Sequence, residues 1–536
     1  MQPNAAAMAY YYKKIVKQEN VMKHLKLLKR TTSILVCIAV MLACVTVSGF
    51  TAFAEGENEY NTESAWEMQV PQVFIYTANG NGTTLQKEDG YQQAQIFIKD
   101  TDGSMLSDAC NIKVRGNTTA LSWVTKKSFT FKFEKKKDVL GMGKGKKWAL
   151  VANVFEPTLL RNMTVFTLAK ELGLDYTSNF KAVEVWLDGS FRGCYVLFEP
   201  VQEGKERVDI DIESNDGKKD FLIEYEASRD EEGNTYFTTH DLHFLVSEPE
   251  EPDDEQLAYI TNTMDDIITT IRSLDREAFA EKIDIESFAK FYLLNEYAKT
   301  FDFTVSSVFF YYKDGKLYAG PPWDYDLSLG NTYPPYGTRA TLGSQTYGWF
   351  CNRGYIYHNN LYRYICQNDW FLGEVKKVYS QHYRDFENIS ADGGLLDTMR
   401  DAYSDVFDRN YSTAGWRVSK FWINIMRQPD ATYAENYSYL KNWCEQRNAW
   451  IANEFDVAFL RGDTDANMDI TVDDVTESQR CLAEFSDVDP ERVSLRGDVD
   501  GDGRLTIMDV TEVQRFLAEA GNACGVGEKV VATAES

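Results

Sequence analysis

Three aspartates stand where carboxylates can share work. Asp302 follows a stretch with helical spacing, and Asp324 and Asp326 flank Tyr325 shortly downstream. Between them, Val305 to Tyr312 alternates as a strand, Asp314 and Gly315 form a two-residue turn, and Lys316 to Ala319 returns. A hairpin folded about that turn brings Asp302 and the Asp324/Asp326 pair to one edge. Three close carboxylates cannot all ionise cheaply, so the cluster calls for a cation or a shared proton. Phosphoryl transfer satisfies this, with one Asp accepting a hydroxyl proton and another holding magnesium on nucleotide phosphates. Glycoside hydrolysis satisfies it too, with one carboxyl as acid and the other as base or nucleophile. Capping a helix or a turn is the commoner fate of any single aspartate.

A second set of acids comes as a repeat. The twelve residues from Asp463 align with those from Asp498, and Val475, Thr476, Glu477, Gln479, Arg480 recur as Val510, Thr511, Glu512, Gln514, Arg515. Oxygen ligands at loop positions 1, 3, 5, 9 and 12 suit a hard cation such as calcium. The expected ligands are Asp463, Asp465, Asn467, Thr471 and Asp474 in one loop, and Asp498, Asp500, Asp502, Thr506 and Asp509 in the other, with the threonines able to act through water. Position 12 is Asp rather than Glu, and no helix is expected before either loop, which separates the pair from an ordinary EF-hand. Met468 stands at position 6, where a left-handed backbone favours glycine, so the first site is expected to be the weaker. These loops resemble a type I dockerin over residues 459–524. That resemblance implies two calcium ions, a cohesin partner on a cellulosome scaffold, and cohesin-facing positions at Val472, Asp473, Gln479, Arg480, Ile507, Met508, Gln514 and Arg515.

The elements that must position the first cluster read as strands, then helices. Short apolar or alternating runs at 73–76, 94–98, 112–114, 129–133, 149–151, 182–187 and 193–198 predict strands. Helical spacing occurs at 159–171, 260–271, 285–298 and 436–455, and 248–255 reads as a solvated acidic loop. Arg115-Gly116-Asn117-Thr118-Thr119, Lys126-Lys127-Ser128-Phe129, Leu159-Leu160-Arg161-Asn162, Gly193 to Glu199 and Gly320-Pro321-Pro322-Trp323-Asp324-Tyr325-Asp326 occur in that order. Together, over residues 70–335, they resemble the CotH family of spore-coat-protein-H-like atypical protein kinases. The resemblance implies an α+β, kinase-like two-lobed domain, with an antiparallel sheet lobe and a helical lobe, over residues 55–458. A small all-α dockerin would occupy 459–524 and a disordered tail 525–536. It further implies Asp302 as catalytic base and Asp324 as principal magnesium ligand, with Asp326 as alternate. Lys127 or Arg115 would contact ATP phosphates, Glu199 would line the nucleotide pocket, and the phosphoacceptor would be a protein hydroxyl. A CotH-fold binding protein without catalysis, and a carbohydrate-active component of polysaccharide degradation, are the alternatives.

The chain has 536 residues, with 56 Lys+Arg against 82 Asp+Glu for a net charge of −26, and 44% of it is hydrophobic. That balance supports a sizeable core and argues against a nucleic-acid partner, whose phosphates need clustered cations. Seven Lys/Arg before residue 31, an apolar run from Ile34 to Val47, and Ala52-Phe53-Ala54 make up a secretory signal peptide cleaved after Ala54, which implies a secreted, cell-surface protein without a stable membrane span. Cys44 fits a lipoprotein site poorly because Met41 and Leu42 precede it. The cysteines after Ala54 lack CxxC spacing, so neither a zinc knuckle nor a disulfide framework is expected. His240 and His243, the one clustered pair, read as surface or turn residues.

Overall fold

Apolar side chains on alternate positions of Gln92–Lys99, with Ala94, Ile96 and Ile98 turned inward, fix the face of one strand, and its neighbours repeat the pattern. The computed structural model describes residues 60–532 apart from 214–218, 228–229, 274, 352–360 and 417–430. The expected leader, residues 1–54, lies outside the described residues.

Seven strands close into a barrel: β1 (Gln72–Thr77), β2 (Gln92–Lys99), β3 (Met105–Arg115), β4 (Ser128–Asp138), β5 (Lys144–Val151), β6 (Phe180–Leu187) and β7 (Ser190–Phe198), in the order β1-β2-β3-β4-β5-β7-β6. Each run expected as a strand in this region is one. Their inward residues, among them Ile96, Ile112, Phe131, Trp148, Leu150, Val185 and Leu197, form one apolar cluster. The expected antiparallel sheet is corrected in one respect: β1 pairs in parallel with β6, Gln72 to Ile75 lying opposite Glu184 to Leu187. That closing pair joins segments more than a hundred residues apart, and it leaves no open edge to aggregate.

Helix α1 (Arg161–Glu171) crosses between β5 and β6. A second sheet then forms from β8 (Phe221–Tyr225), β9 (Tyr236–Thr239), β10 (Leu242–Glu248), β11 (Val308–Lys313) and β12 (Lys316–Ala319), in the order β12-β11-β8-β10-β9. Strands β8 to β10 were not anticipated: β8 and β9 span five and four residues, β8 is buried along nearly its whole length so that no alternation marks it, and β10 alternates but falls between the histidine pair read as a turn and the stretch read as an acidic loop. Helices α2 (Asp254–Ser273), α3 (Ile285–Ala298), α4 (Asp369–Ser390) and α5 (Tyr433–Glu454) complete this lobe. Asp284 caps α3 by accepting from Ser287 N, and Thr432 with Glu435 forms a capping box on α5. From Phe288 on, α3 is buried all round except at Lys290, as befits a central helix. Near its end, buried Glu296 accepts from Arg447 of α5 at 2.9 Å and from the backbone N–H groups of Phe350 and Cys351. This network fixes the direction in which the chain leaves α3 toward Asp302. The whole mixed arrangement is α+β.

The acidic stretch 248–255 is only partly the solvated loop expected, since Glu248 ends β10 as a buried residue and Asp254 and Glu255 start α2. Burial pushes the Glu248 carboxyl up from 4.5 to about 7, with the Glu203 N–H opposing and Glu250 adding repulsion. A raised folded value means that the stability this group lends is present below about pH 4.5 and is lost as pH rises toward 7. Glu248→Gln is therefore expected to flatten that part of the profile and to be the more stable form at pH 8, by on the order of 2 kcal/mol after solvent screening. Denaturant titrations at pH 5 and pH 8 check this, and parallel losses in variant and parent would refute it.

After α5 comes a small module with β13 (Ala458–Leu460), α6 (Val472–Leu482), α7 (Pro490–Gly497), α8 (Ile507–Leu517) and β14 (Lys529–Val531). Val475, Val499, Val510, Val513 and Val526 make its core. Three expectations are corrected here. The module is not all-α, because β13 and β14 pair antiparallel. The tail is not disordered through residue 532, because Val526 enters the core and Lys529–Val531 forms that ladder. A helix does precede the second loop, since α7 ends at Gly497 next to Asp498. The boundary at 458/459 also falls inside β13. Arg496 of α7 is fully buried and bonds Asp456 and Asn453 at the end of α5 as well as Asp463, so the module is tied to the lobe before it. Among the described residues no helix is long and apolar enough to cross a membrane.

Candidate active site and repeated acidic loops

Where β3 ends, Arg115 enters a turn that needs Gly116: its φ is +89°, and a Cβ there would lie 2.1 Å from Thr119 Oγ1. This turn, the end of β8, the turn after α3 and the segment 323–327 together line a cleft of about 520 Å³. Asp302, Asp324 and Asp326 all reach it. Asp302 sits on a 3-10 turn, Phe301–Thr304, whose Asp302 carbonyl accepts from Val305 N and Ser306 N. Two backbone bonds join that turn to the acidic pair's segment, Phe301 N to Leu327 O at 2.9 Å and Leu329 N to Ala298 O at 2.7 Å. The β11–β12 hairpin about Asp314 and Gly315 thus brings its ends together as its length requires.

The Asp324 segment is held from below by α1. Asn162 Oδ1 accepts from Tyr325 N at 2.8 Å, while Arg161 donates to Ser328 O at 3.1 Å and pairs with buried Glu156. Asn331 donates to Asp326 O at 2.7 Å. Asp324 itself has a φ of +64°, a conformation in which a side chain is strained.

Electrostatics sharpen the cluster. Burial pushes the Asp326 carboxyl well above the ordinary carboxylate range, and repulsion from Asp324, Asp302 and Glu156 adds to it. Such a group takes a proton unless a cation arrives. Arg115 is held below its ordinary value by burial, against the attraction of Asp324, and its guanidinium lies 5.0 Å from the Trp323 ring centroid. Glu224, Glu226, Glu231 and Arg339 also line the cleft and escaped the sequence reading. Glu224 and Glu226 straddle the end of the unrecognised strand β8, and Arg339 lies beyond the last motif, so nothing in local pattern singled them out. Acids lining one cleft suit a hard divalent cation, with a carboxylate left over as a base, while among the described residues the groups of three carboxylates within 4.8 Å of one another lie in the C-terminal module.

Two expected site residues are elsewhere. Lys127 does not line the cleft: its ammonium donates to Ala120 O at 2.8 Å and Leu121 O at 2.6 Å, pinning the turn that follows Thr118 and Thr119 on the cleft wall. It lies one residue before β4, and these two carbonyls hold it away from the expected phosphate contact. Glu199 also misses the cleft. It accepts from Asn179 N at 2.8 Å and lies with Arg207 in a separate cavity of about 220 Å³, while Pro200 and Val201 after it reach the cleft. His240 occupies the turn between β9 and β10 near Arg272, and His243 contacts Thr238 and Asp230, so the two face different partners.

In the module, carboxylate oxygens of Asp463, Asp465 and Asp474 gather within 4.8 Å of one another, and so do those of Asp498, Asp500 and Asp502. Asn467 N donates to Asp463 and Asp465, and Asp502 N does the same with Asp498 and Asp500. Asp474 and Asp509 are buried and accept backbone N–H groups of their own loops. Thr471 and Thr506 use their hydroxyls as N-caps, accepting from Asp473 N and Met508 N, which is the role their position before α6 and α8 gives them. Met468 has a φ of +71°, close to the +86° of Gly503. Burial pushes the Asp463 carboxyl up to about 6, with Arg496 opposing.

A family model described as CotH kinase protein matches residues 112–451, from β3 through most of α5. The match takes in Arg115, Asp302, Asp324, Asp326 and Arg339 and stops before the repeated loops. No curated protein matches the chain.

Proposed function

Since this chain belongs to the CotH kinase family, we propose that its two-lobed domain transfers the γ-phosphoryl group of magnesium-bound ATP to protein hydroxyls. The observation that carries this reading is the convergence of Asp302, Asp324 and Asp326 with Arg115 in one cleft. Asp324, with Asp326, would hold magnesium, whose charge would offset the burial and the carboxylate repulsion that drive Asp326 toward its protonated form. Asp302, on its own turn, would accept the hydroxyl proton. Arg115, stacked on Trp323 beside Asp324, would contact phosphate oxygens. No described geometry favours glycoside hydrolysis over this.

The repeated acidic loops support a second part of the proposal: the module is a dockerin that holds two calcium ions and binds a cohesin. Val472, Ile507 and Met508 fit such a surface, being 68%, 60% and 60% exposed at the starts of α6 and α8. The leader pattern supports export, which makes the whole a cellulosome-associated kinase at the cell surface. Calorimetric titration of the full chain with ATP, with and without magnesium, tests the first part. Saturable, magnesium-dependent binding is expected, and absence of binding with any divalent ion would end the kinase reading.

A further inference from the structure

Phosphoryl transfer needs cations to meet charge on the moving group, and a strand lysine commonly supplies one. Here Lys127 is committed to the carbonyls of Ala120 and Leu121. Among the described residues lining the cleft, the cations are Arg115 and Arg339. They answer to different acids: Arg115 feels Asp324, and Arg339 feels Asp302. Arg339 is also anchored to the turn that carries Asp302. Its guanidinium lies 3.7 Å from the Phe301 ring centroid, and Nη1 donates to Thr304 Oγ1 at 3.4 Å. A guanidinium fixed by stacking presents its remaining donors in a rigid fork suited to phosphate oxygens.

Building on the phosphotransfer reading above, we propose that Arg339 contacts the transferring phosphoryl group and supplies the charge that Lys127 cannot. In the step, the acceptor hydroxyl oxygen forms the new bond to the γ-phosphorus as its proton passes to Asp302. The bond from phosphorus to the β–γ bridging oxygen breaks, and its electron pair leaves on ADP. Arg339, held beside the base, meets the charge on the equatorial oxygens, while Arg115 stays with the phosphates bound to the metal.

The test uses the full chain with magnesium and radiolabelled ATP, reading transfer to dephosphorylated casein and to the chain itself, alongside nucleotide affinity and melting temperature. Arg339→Ala is expected to lower turnover at least about 100-fold with nucleotide affinity within roughly threefold of the parent, and Arg339→Lys to fall between them. Added guanidinium ion is expected to restore part of the Arg339→Ala activity, an effect that lost packing alone does not produce. Turnover of Arg339→Ala within roughly threefold of the parent overturns the proposal. So does a lower melting temperature with no rescue and full activity in Arg339→Lys. A parent chain that binds no ATP instead removes the phosphotransfer reading itself, a different failure.

Discussion

Asp302→Ala is expected to lose phosphoryl transfer by about 100- to 10,000-fold, the range a positioned general base supplies, while still binding magnesium-ATP. Asp324→Ala is expected to lose the binding as well, because it removes the proposed metal ligand beside Arg115 and leaves Asp326 as the remaining acid of the pair. The two variants separate because their carboxylates sit on different segments of the cleft wall, Asp302 on the turn after α3 and Asp324 after β12. Transfer rates and calorimetric affinities of both variants, measured on the full chain, check this. Parental transfer by Asp302→Ala would remove it as the base. Parental affinity in Asp324→Ala would move the metal elsewhere in the cleft, to acids such as Glu224 or Glu226.

Removal of calcium is expected to unfold the C-terminal module while the barrel stays folded. Each loop crowds three carboxylates within 4.8 Å, and the module's core is five valines. So small a core depends on the charge neutralisation that a bound cation supplies, which makes ligand binding and folding one process. Chelator should therefore abolish a low-temperature transition, seen by circular dichroism, and expose the amides of α6 and α8 to hydrogen exchange. An unchanged spectrum in chelator would contradict this.

The two sites should also fill in order, 498–509 before 463–474. Met468 carries a left-handed backbone that Gly503 adopts freely, a difference of about 1 to 2 kcal/mol, and Arg496 already occupies one side of Asp463. Met468→Gly is expected to raise the first site's affinity by up to roughly tenfold in a calcium titration.

Much of the catalytic cluster was legible because it is local. The Asp314–Gly315 turn and the strands it joins bring Asp302 and Asp324 to the same end of one hairpin. The acidic loops were legible for the same reason, since the side chains that gather in each lie within twelve residues. Lys127 and Glu199 were not: each lies one residue outside its strand, before β4 and after β7, so where its side chain goes depends on which face the barrel buries. That face is set by β1 meeting β6 across more than a hundred residues. Glu224 and Arg339 were invisible too: one sits on a strand without alternation, the other on a short helix, Thr338–Ser344, beyond the last motif, and only packing draws them to the cleft.

The sequence by itself determined the two loops with their spacing and Met468 at the sixth position, the strands of the barrel and the hairpin that gathers three acids. Tertiary structure alone decided the barrel's closure, which basic groups face the acids, and the clasp of β13 with β14 that ties the chain's end to the module's start. The division follows from range. Turns, caps and ligand ladders are fixed by neighbours a few bonds away, whereas the direction of a buried charge is set by whichever distant carbonyl or carboxylate offsets its desolvation.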